Sequence, residues 1–502
     1  MKQEAALTYG NIKISPYKLV RLQTLEITQV VNDHARLTFK GIIADEKKDS
    51  YVTTTASNSQ VKVFVLEPET GKQKILFDGV VLDVKVQAVL GIYYLSVEAV
   101  SYTYLLDIKR NKRSFQNPNM TYKSMVKAVI SDYSKSDFID ETTNAKAIGT
   151  FVMQYDETDW QFLKRMASHF YTSLVAVSSL NYPTFYFGLP KDRNKGKLEV
   201  SQYLVKKRMA DYQTASEYKV PGVSEQDYTV YEVVTSKTLE PGDEVSFRSR
   251  KLVVGKAVIA IKEGLLTQTY ELYPRPGLRL KKEYNEAIIG ASIQASVLQV
   301  RKDTVRAKLD MDDQEDPSTD YWFPYSTIYA SEDNTGWYCM PEQGDSIRIY
   351  FPSKKEHQGY AISSVRRSAP AAAVPAKQQA TTGKSNASPK SGAAPKSGSS
   401  AGKADLMADP DNKTFRTKYG KEILLAKDRI VISANGMSIT VSDSQGISIV
   451  SNKSVTISAG QDISMSSSTI QIEAKKIELS GNENTIVLED KVSIEGSEIK
   501  MN

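Results

Sequence analysis

The chain has 502 residues, 40% of them hydrophobic and 25% charged, with a net charge of +6, one cysteine and three histidines. That length predicts about three domains with ample material for cores. No run approaches the roughly eighteen apolar residues of a membrane helix, and Met1-Lys2-Gln3-Glu4 opens into polar sequence without a signal-peptide core, so the chain reads as made and folded in the cytoplasm.

Cys339 alone excludes an internal disulfide and any multi-cysteine zinc site. The positive charge does not point to nucleic acid, because it is not gathered where something could bind. Ala369 to Ala404 holds five lysines and no acid, whereas Asp443 to Asn502 holds nine acids against five lysines.

Residues 1–285 read as mainly β. Strand-like alternation runs through Lys18–Gln29, Ala35–Ile43, Val61–Leu66, Ile75–Val86, Tyr93–Tyr102, Val245–Ile261 and Gln268–Tyr273. Two helical patches sit between. Tyr122–Tyr133 places Met125, Val126, Val129 and Ile130 on one face, and Thr158–Phe170 places Trp160, Leu163, Ala167 and Phe170 at helical spacing. Thr158 and Gln161 make a capping box for the second helix. The pattern implies two β-barrel-like lobes flanking a helical insertion.

Residues 286–367 read as a small all-β barrel of OB type. Ala291–Val300 and Val305–Met311 alternate, Tyr321-Trp322-Phe323-Pro324-Tyr325 follows, and the Pro341-x-x-Gly344-Asp345 turn feeds Ile347, Ile349 and Phe351 at period two. Residues 368–411, rich in Ala, Pro, Ser, Gly and Lys, cannot pack a core and read as a tether.

The remainder, 412–502, is a repeat. Apolar pairs two positions apart recur at a step of eight, as Ile439/Val441, Ile447/Ile449, Val455/Ile457 and Ile463/Met465. The series continues more loosely through Ile470/Ile472, Ile477/Leu479, Ile486/Leu488, Val492/Ile494 and Ile499/Met501. Each pair reads as a short strand separated from the next by turn formers such as Ser442-Asp443-Ser444-Gln445-Gly446. One such strand exposes about two apolar side chains, so a single chain encloses almost no core. Three chains wound about an axis bury them, at roughly 1.5 to 3 kcal/mol for each side chain. Nine strands at about 4.8 Å spacing make a rod on the order of 40 Å long.

The chemistry of a hydrolase is not apparent. Histidine occurs only at 34, 169 and 357, without H-E-x-x-H or other metal spacing. No G-x-S-x-G elbow occurs, and Gly383-Lys384-Ser385 lacks the phosphate-loop glycine at Gln378. No catalytic, cofactor-binding or metal residue is therefore expected. Two other readings remain: an OB-fold nucleic-acid binder stacking bases on Tyr321, Trp322, Phe323 and Tyr325, against which Asp310, Asp312, Asp313, Glu315 and Asp316 would repel phosphate, and a phage tail-associated cell-wall hydrolase.

Gln154-Tyr155-Asp156-Glu157-Thr158-Asp159-Trp160-Gln161-Phe162-Leu163-Lys164-Arg165-Met166-Ala167 resembles the Y-x-E-T-D-W/F-x-F-L-x-R-L-A segment of the VgrG family, spike proteins of type VI secretion and related contractile injection systems. Asn32-Asp33-His34-Ala35-Arg36-Leu37 is similar to that family's early N-x-H-A-x-L strand, and Trp337 to Phe351 to the end of its OB barrel. Lys413 to Gly420 resembles the start of its triple-stranded β-helix.

The resemblance implies a homotrimer with a two-barrel hub, an OB-fold collar and an intertwined β-helical needle. Its partners would be a hexameric, Hcp-like tail tube, baseplate proteins, a separate PAAR-like tip and the target envelope on firing, with no nucleic acid. The particle would be assembled in the cytoplasm and exported or released on firing. The long tether departs from the family, and so does the lack of an effector domain after the needle. The family's needle-end iron site needs histidines, and none follows His357.

Overall fold

A computed structural model describes residues 8–66, 72–312, 321–326, 340–365, 413–417, 419–481 and 484–488. The chain divides into two compact units, Met1–Ala376 and Lys377–Asn502. The tether expected at 368–411 and Cys339 lie outside the described residues.

In the first unit one twelve-stranded sheet carries both lobes. Its first half runs, in spatial order, through Ile12–Ser15, Gln60–Leu66, Gln73–Val89, Ile92–Ser101, Arg36–Ile43 and Arg21–Val30. The second half continues through Arg250–Lys262, Leu265–Tyr273, Thr229–Val234 and Tyr203–Lys207, with Glu244–Phe247 attached to Arg250–Lys262 and Asn194–Lys197 attached in turn to Glu244–Phe247. The seam is the antiparallel pairing of Glu26–Val30 with Lys256–Ala260. The lobes are thus joined edge to edge, and an isolated bridge from Thr8 to Leu265 returns the first edge toward the seam.

Alternation explains the lobes: Val61, Val63 and Val65 are buried while their neighbours are partly exposed, the period of a half-buried strand. Each lobe has its own core, Ile27, Leu37, Phe39 and Phe77 in the first and Val245, Val254, Tyr270 and Leu272 in the second. The expected strand Val245–Ile261 is instead a hairpin. Arg248 and Ser249 take left-handed φ of 49° and 61°, and Phe247 pairs with Arg250. A turn without glycine left no sequence signal there.

Four α-helices are described: α1 (Ser50–Thr54), α2 (Tyr122–Ile130), α3 (Asp159–Ser168) and α4 (Met209–Glu217). The two expected helices are α2 and α3, each ending earlier than the apolar pattern suggested. They pack with a three-stranded sheet of Leu174–Ala176, Thr184–Phe187 and Asp137–Asp140 into a third core around Met125, Trp160, Leu163 and Phe185. None of the described helices is long and apolar enough to cross a membrane.

A separate five-stranded sheet follows, ordered Phe323–Pro324, Thr304–Leu309, Ser292–Arg301, Ser346–Tyr350 and Tyr360–Val365. A parallel bridge from Tyr325 to Ala361 brings its two ends together. Ile347, Ile349 and Phe351 are fully buried, as the period-two pattern required.

The second unit opens with a five-stranded antiparallel meander of Lys413–Arg416, Lys421–Leu425, Arg429–Ala434, Met437–Ser442 and Gly446–Val450. The expected pairs 439/441 and 447/449 lie on strands, and 477/479 and 486/488 form the hairpin Ile477–Gly481 with Asn484–Leu488. The segments at 455/457, 463/465 and 470/472 form no strand within this one chain, which departs from the expectation of nine. The pairs at 492/494 and 499/501 lie outside the described residues. Within the chain the pairing is by consecutive hairpins, set by turns such as Asn435-Gly436, with φ of 47° and 85°, a conformation suited to Asn-Gly.

The meander's apolar residues fall into register as two columns. Phe415, Ile423, Ile432, Ile439 and Ile449 oppose one another in succession, as do Leu425, Ile430, Val441 and Ile447. All nine are 42–73% exposed.

Candidate functional site

The segment Gln154–Ala167 draws the parts of the first unit together, and its polar residues are almost all committed to hydrogen bonds or ion pairs. Thr158 caps α3: its hydroxyl accepts from the Gln161 amide at 3.1 Å while Gln161 Oε1 accepts from the Thr158 amide at 3.2 Å. This is the expected capping box. The Thr158 hydroxyl also donates to Asp107.

Asp159, fully buried in the first turn of α3, sits where the helix dipole favours a carboxylate. Its Oδ1 accepts from Arg113 at 2.8 Å, Gln154 at 2.9 Å and Asn111 at 3.0 Å, and its Oδ2 accepts from the Tyr133 hydroxyl at 2.6 Å. Burial, and then the neighbouring Asp159 carboxylate, push the Tyr133 phenol well above its usual range, so it stays a donor.

Arg165, one turn and a half along α3, is 3% exposed. Its Nε and one terminal nitrogen fork onto Glu157 at 2.8 Å each, that same terminal nitrogen donates to the Met153 carbonyl at 2.8 Å, and the other reaches Glu356 at 2.9 Å. Such bidentate geometry is the strong form of the pair. Burial opposes the Arg165 charge, but Glu356 and Glu157 outweigh it and hold the guanidinium protonated. For Glu356 the balance differs: burial dominates and raises its carboxyl above the ordinary value, with Arg165 only partly offsetting it.

Glu356 belongs to the small barrel, and the contact is reinforced. Phe151 and Met153, which precede the signature, lie fully buried inside that barrel's core. Phe151 packs 5.1 Å from Phe323 and 5.9 Å from Phe351, centroid to centroid. Ser114 adds two hydrogen bonds to Asp312, at 2.7 and 2.6 Å. What the site does is bind the helical insertion and the small barrel into one body. Sequence reasoning found the segment but not its partner, since nothing near Glu356 marks it as buried.

The histidines serve this framework separately. His34 Nδ1 lies 2.8 Å from the Thr103 hydroxyl, its Nε2 lies 3.4 Å from Asp107, and its ring lies 4.6 Å from Trp160. The hydroxyl–imidazole–carboxylate sequence invites comparison with a nucleophilic triad. Thr103, however, is fully buried and shares its hydroxyl with Ser101 at 2.9 Å, which gives an acyl substrate no approach.

His169 donates through Nε2 to the Glu283 carbonyl at 3.0 Å, and His357 lies in the short helix Glu356–Gln358. Among the described residues no three His, Cys, Asp or Glu side chains are grouped to hold a metal. Burial pushes the His169 imidazole down to about 4 from 6.5. The unfolded chain therefore takes up that proton first, and stability is expected to fall as pH drops from about 6.5 toward 4. His169→Gln should flatten that stretch of a Tm–pH profile; an unchanged slope would place the acid sensitivity elsewhere.

The aromatic cluster expected as core or as a base-stacking platform divides. Phe323 is fully buried, Tyr321 packs 4.8 Å from it, and Trp322 lies under the guanidinium groups of Arg301 at 4.7 Å and Arg306 at 5.9 Å.

Comparison with known proteins agrees with this architecture. Residues 39–169, which include the signature, match the family described as phage tail baseplate hub (GPD). No curated protein sequence matches the chain. Among solved structures, a chain of the Francisella PdpA-VgrG complex in its half-lidded form is similar with a TM-score of 0.50 at 10% identity, covering 88% of this chain and 87% of that one. The Escherichia coli c3393 protein, described as a type VI secretion component similar to the T4 tail proteins gp27 and gp5, gives 0.49 at 15% identity, over 71% of this chain and 99% of that one. The 43 kDa tail protein of prophage MuSo2 from Shewanella oneidensis gives 0.42 at 9% identity, over 56% and 100%. Residues 39–169 thus match the phage tail baseplate hub family, and the chain's fold is similar to that of the PdpA-VgrG complex chain.

Proposed function

We propose that the protein is the subunit of a trimeric hub-and-spike of a contractile injection system, in which a two-lobed hub adapts a hexameric tail tube to a threefold, membrane-puncturing needle. The observation that carries this reading is the state of the second unit. Its two apolar columns stand 42–73% exposed, and among its described residues Leu424 alone is a buried apolar side chain. A soluble chain does not leave so continuous an apolar face uncovered. Two further copies would cover it about a common axis, and the extended segments at 455/457, 463/465 and 470/472 would find their hydrogen-bond partners in those copies.

The small barrel supports a collar role. Its five strands are ordered third, second, first, fourth, fifth, and the third and fifth are bridged in parallel, which is the connectivity of a five-stranded OB-type barrel. Tyr321 and Phe323 of its aromatic cluster pack inward against Phe151, which favours collar over nucleic-acid platform. A tube-like ring, baseplate proteins and a separate tip protein would be the partners, and the work mechanical rather than catalytic.

Sedimentation of the full chain tests the reading: a trimer is expected. Removing residues 401–502 should release most of it to monomer. Truncation after Asp490 should abolish tip binding and penetration. A monomeric full chain, or a trimer that cleaves peptidoglycan in a zymogram, would favour the wall-hydrolase alternative.

A further inference from the structure

The first lobe ends in a hairpin whose tip contradicts ordinary turn chemistry. Strands Gln73–Val89 and Ile92–Ser101 close with Val89 opposite Ile92. Leu90 and Gly91 form the turn at φ of 49° and 78°. The left-handed conformation strains a residue with a branched aliphatic side chain, and Asn or Asp ordinarily takes that place. Leu90 is also 99% exposed, with Val89 at 41% and Ile92 at 43% beside it.

The other two-residue hairpins whose turns lie among the described residues show what the turn alone requires. The corresponding first positions are Arg248, Glu263, Lys302 and Asn435, all with positive φ. Each is polar. Leu90 is the one large aliphatic residue at positive φ among the described residues, and Gln87 to Ile92 carries no charge.

The tip's position selects its occupant. At their far end the same two strands reach Ser101, whose hydroxyl accepts from the Ala35 amide at 3.1 Å and contacts Thr103. From there the chain of contacts runs through His34, Asp107 and Thr158 to α3 and, by Arg165, to Glu356 of the collar. The ten residues of Ile92–Ser101 separate the tip from that junction by roughly 30 Å. Being at the end of the strands, the tip points along them rather than sideways, where a sheet edge would meet a neighbouring copy.

We propose that Leu90, flanked by Val89 and Ile92, is an apolar anchor by which the hub's end away from the collar seats on a stacked ring of tube-type protein carrying an apolar recess at its rim. This rests on the hub-and-spike reading and names the residues that would make its ring contact. A polar replacement suited to the turn should leave the fold intact and remove the anchor.

The test uses the full chain, wild type and Leu90→Asn, with the purified ring-forming tube protein of the same particle. Leu90→Asn is expected to keep or raise the Tm and keep the oligomeric state, while weakening ring retention in co-sedimentation by about tenfold or more. Glu263→Asn, at the equivalent turn of the second lobe, should retain the ring. If wild type and Leu90→Asn hold the ring equally, the anchor is overturned and the hub reading stands. If wild type does not hold the ring at all, both fall. If a photo-crosslinker at position 90 joins copies of this chain instead, the tip is a contact between copies and the proposal is wrong.

Discussion

If the second unit trimerises as proposed, Ile457→Asp is expected to unfold or dissociate it, lowering its melting transition far more than any other single change in that unit. Within one chain the substitution should be harmless, because Ile457 is 65% exposed. In a threefold needle it would gather three carboxylates near the axis, each unpaired buried charge costing several kcal/mol. Ser454→Asp, in the polar part of the same repeat, serves as the control and should be nearly neutral. Thermal scans of both variants decide the matter: equal shifts would mean that the apolar pairs do not face inward.

The second large effect concerns Arg165. Arg165→Met should destabilise the first unit by about 3–5 kcal/mol, because it strands two carboxylates, Glu157 and Glu356, in a buried site and removes a donor from the Met153 carbonyl. Glu356→Gln should be much milder, since it keeps the shape and removes a charge that burial already disfavours. Its pH signature has a definite sign. With the folded carboxyl raised above its ordinary 4.5, the native state holds the proton longer than the unfolded chain. That group's contribution is therefore full below about 4.5 and is lost as pH rises through the folded value. Glu356→Gln should abolish that component in denaturant titrations across the acid range. Arg165→Met within about 1 kcal/mol of wild type would show that the junction is ornamental.

The sequence was most legible where pattern and burial coincide. Val61, Val63 and Val65 alternate as written, Thr158 and Gln161 cap α3 as written, and the turn at Gly344 delivers Ile347 and Ile349 to a core. It was least legible where structure depends on distant partners. The Arg248-Ser249 turn uses no glycine. The joining of two lobes into one sheet rests on long-range pairing of Glu26–Val30 with Lys256–Ala260, which no local period encodes. The signature segment was visible as a motif, yet its purpose was not: Arg165 is explained only when Glu356, 191 positions later, arrives beside it. The spacing of the apolar pairs after 439 marked strands, and hydrogen-bonded ladders formed only where turns such as Asn435-Gly436 close hairpins.

Phe151 and Met153 have a bearing on inheritance and on synthesis. The small barrel's core is completed by two side chains made about 140 residues before the strands that enclose them, so as the chain leaves the ribosome the barrel must close around a segment that is already in place. A cut near residue 285 would strip the barrel of its floor. Chimeras that exchange this barrel between relatives should therefore fold only when the 151–153 segment and its Glu356 counterpart travel together, which makes the natural unit of exchange a discontinuous one.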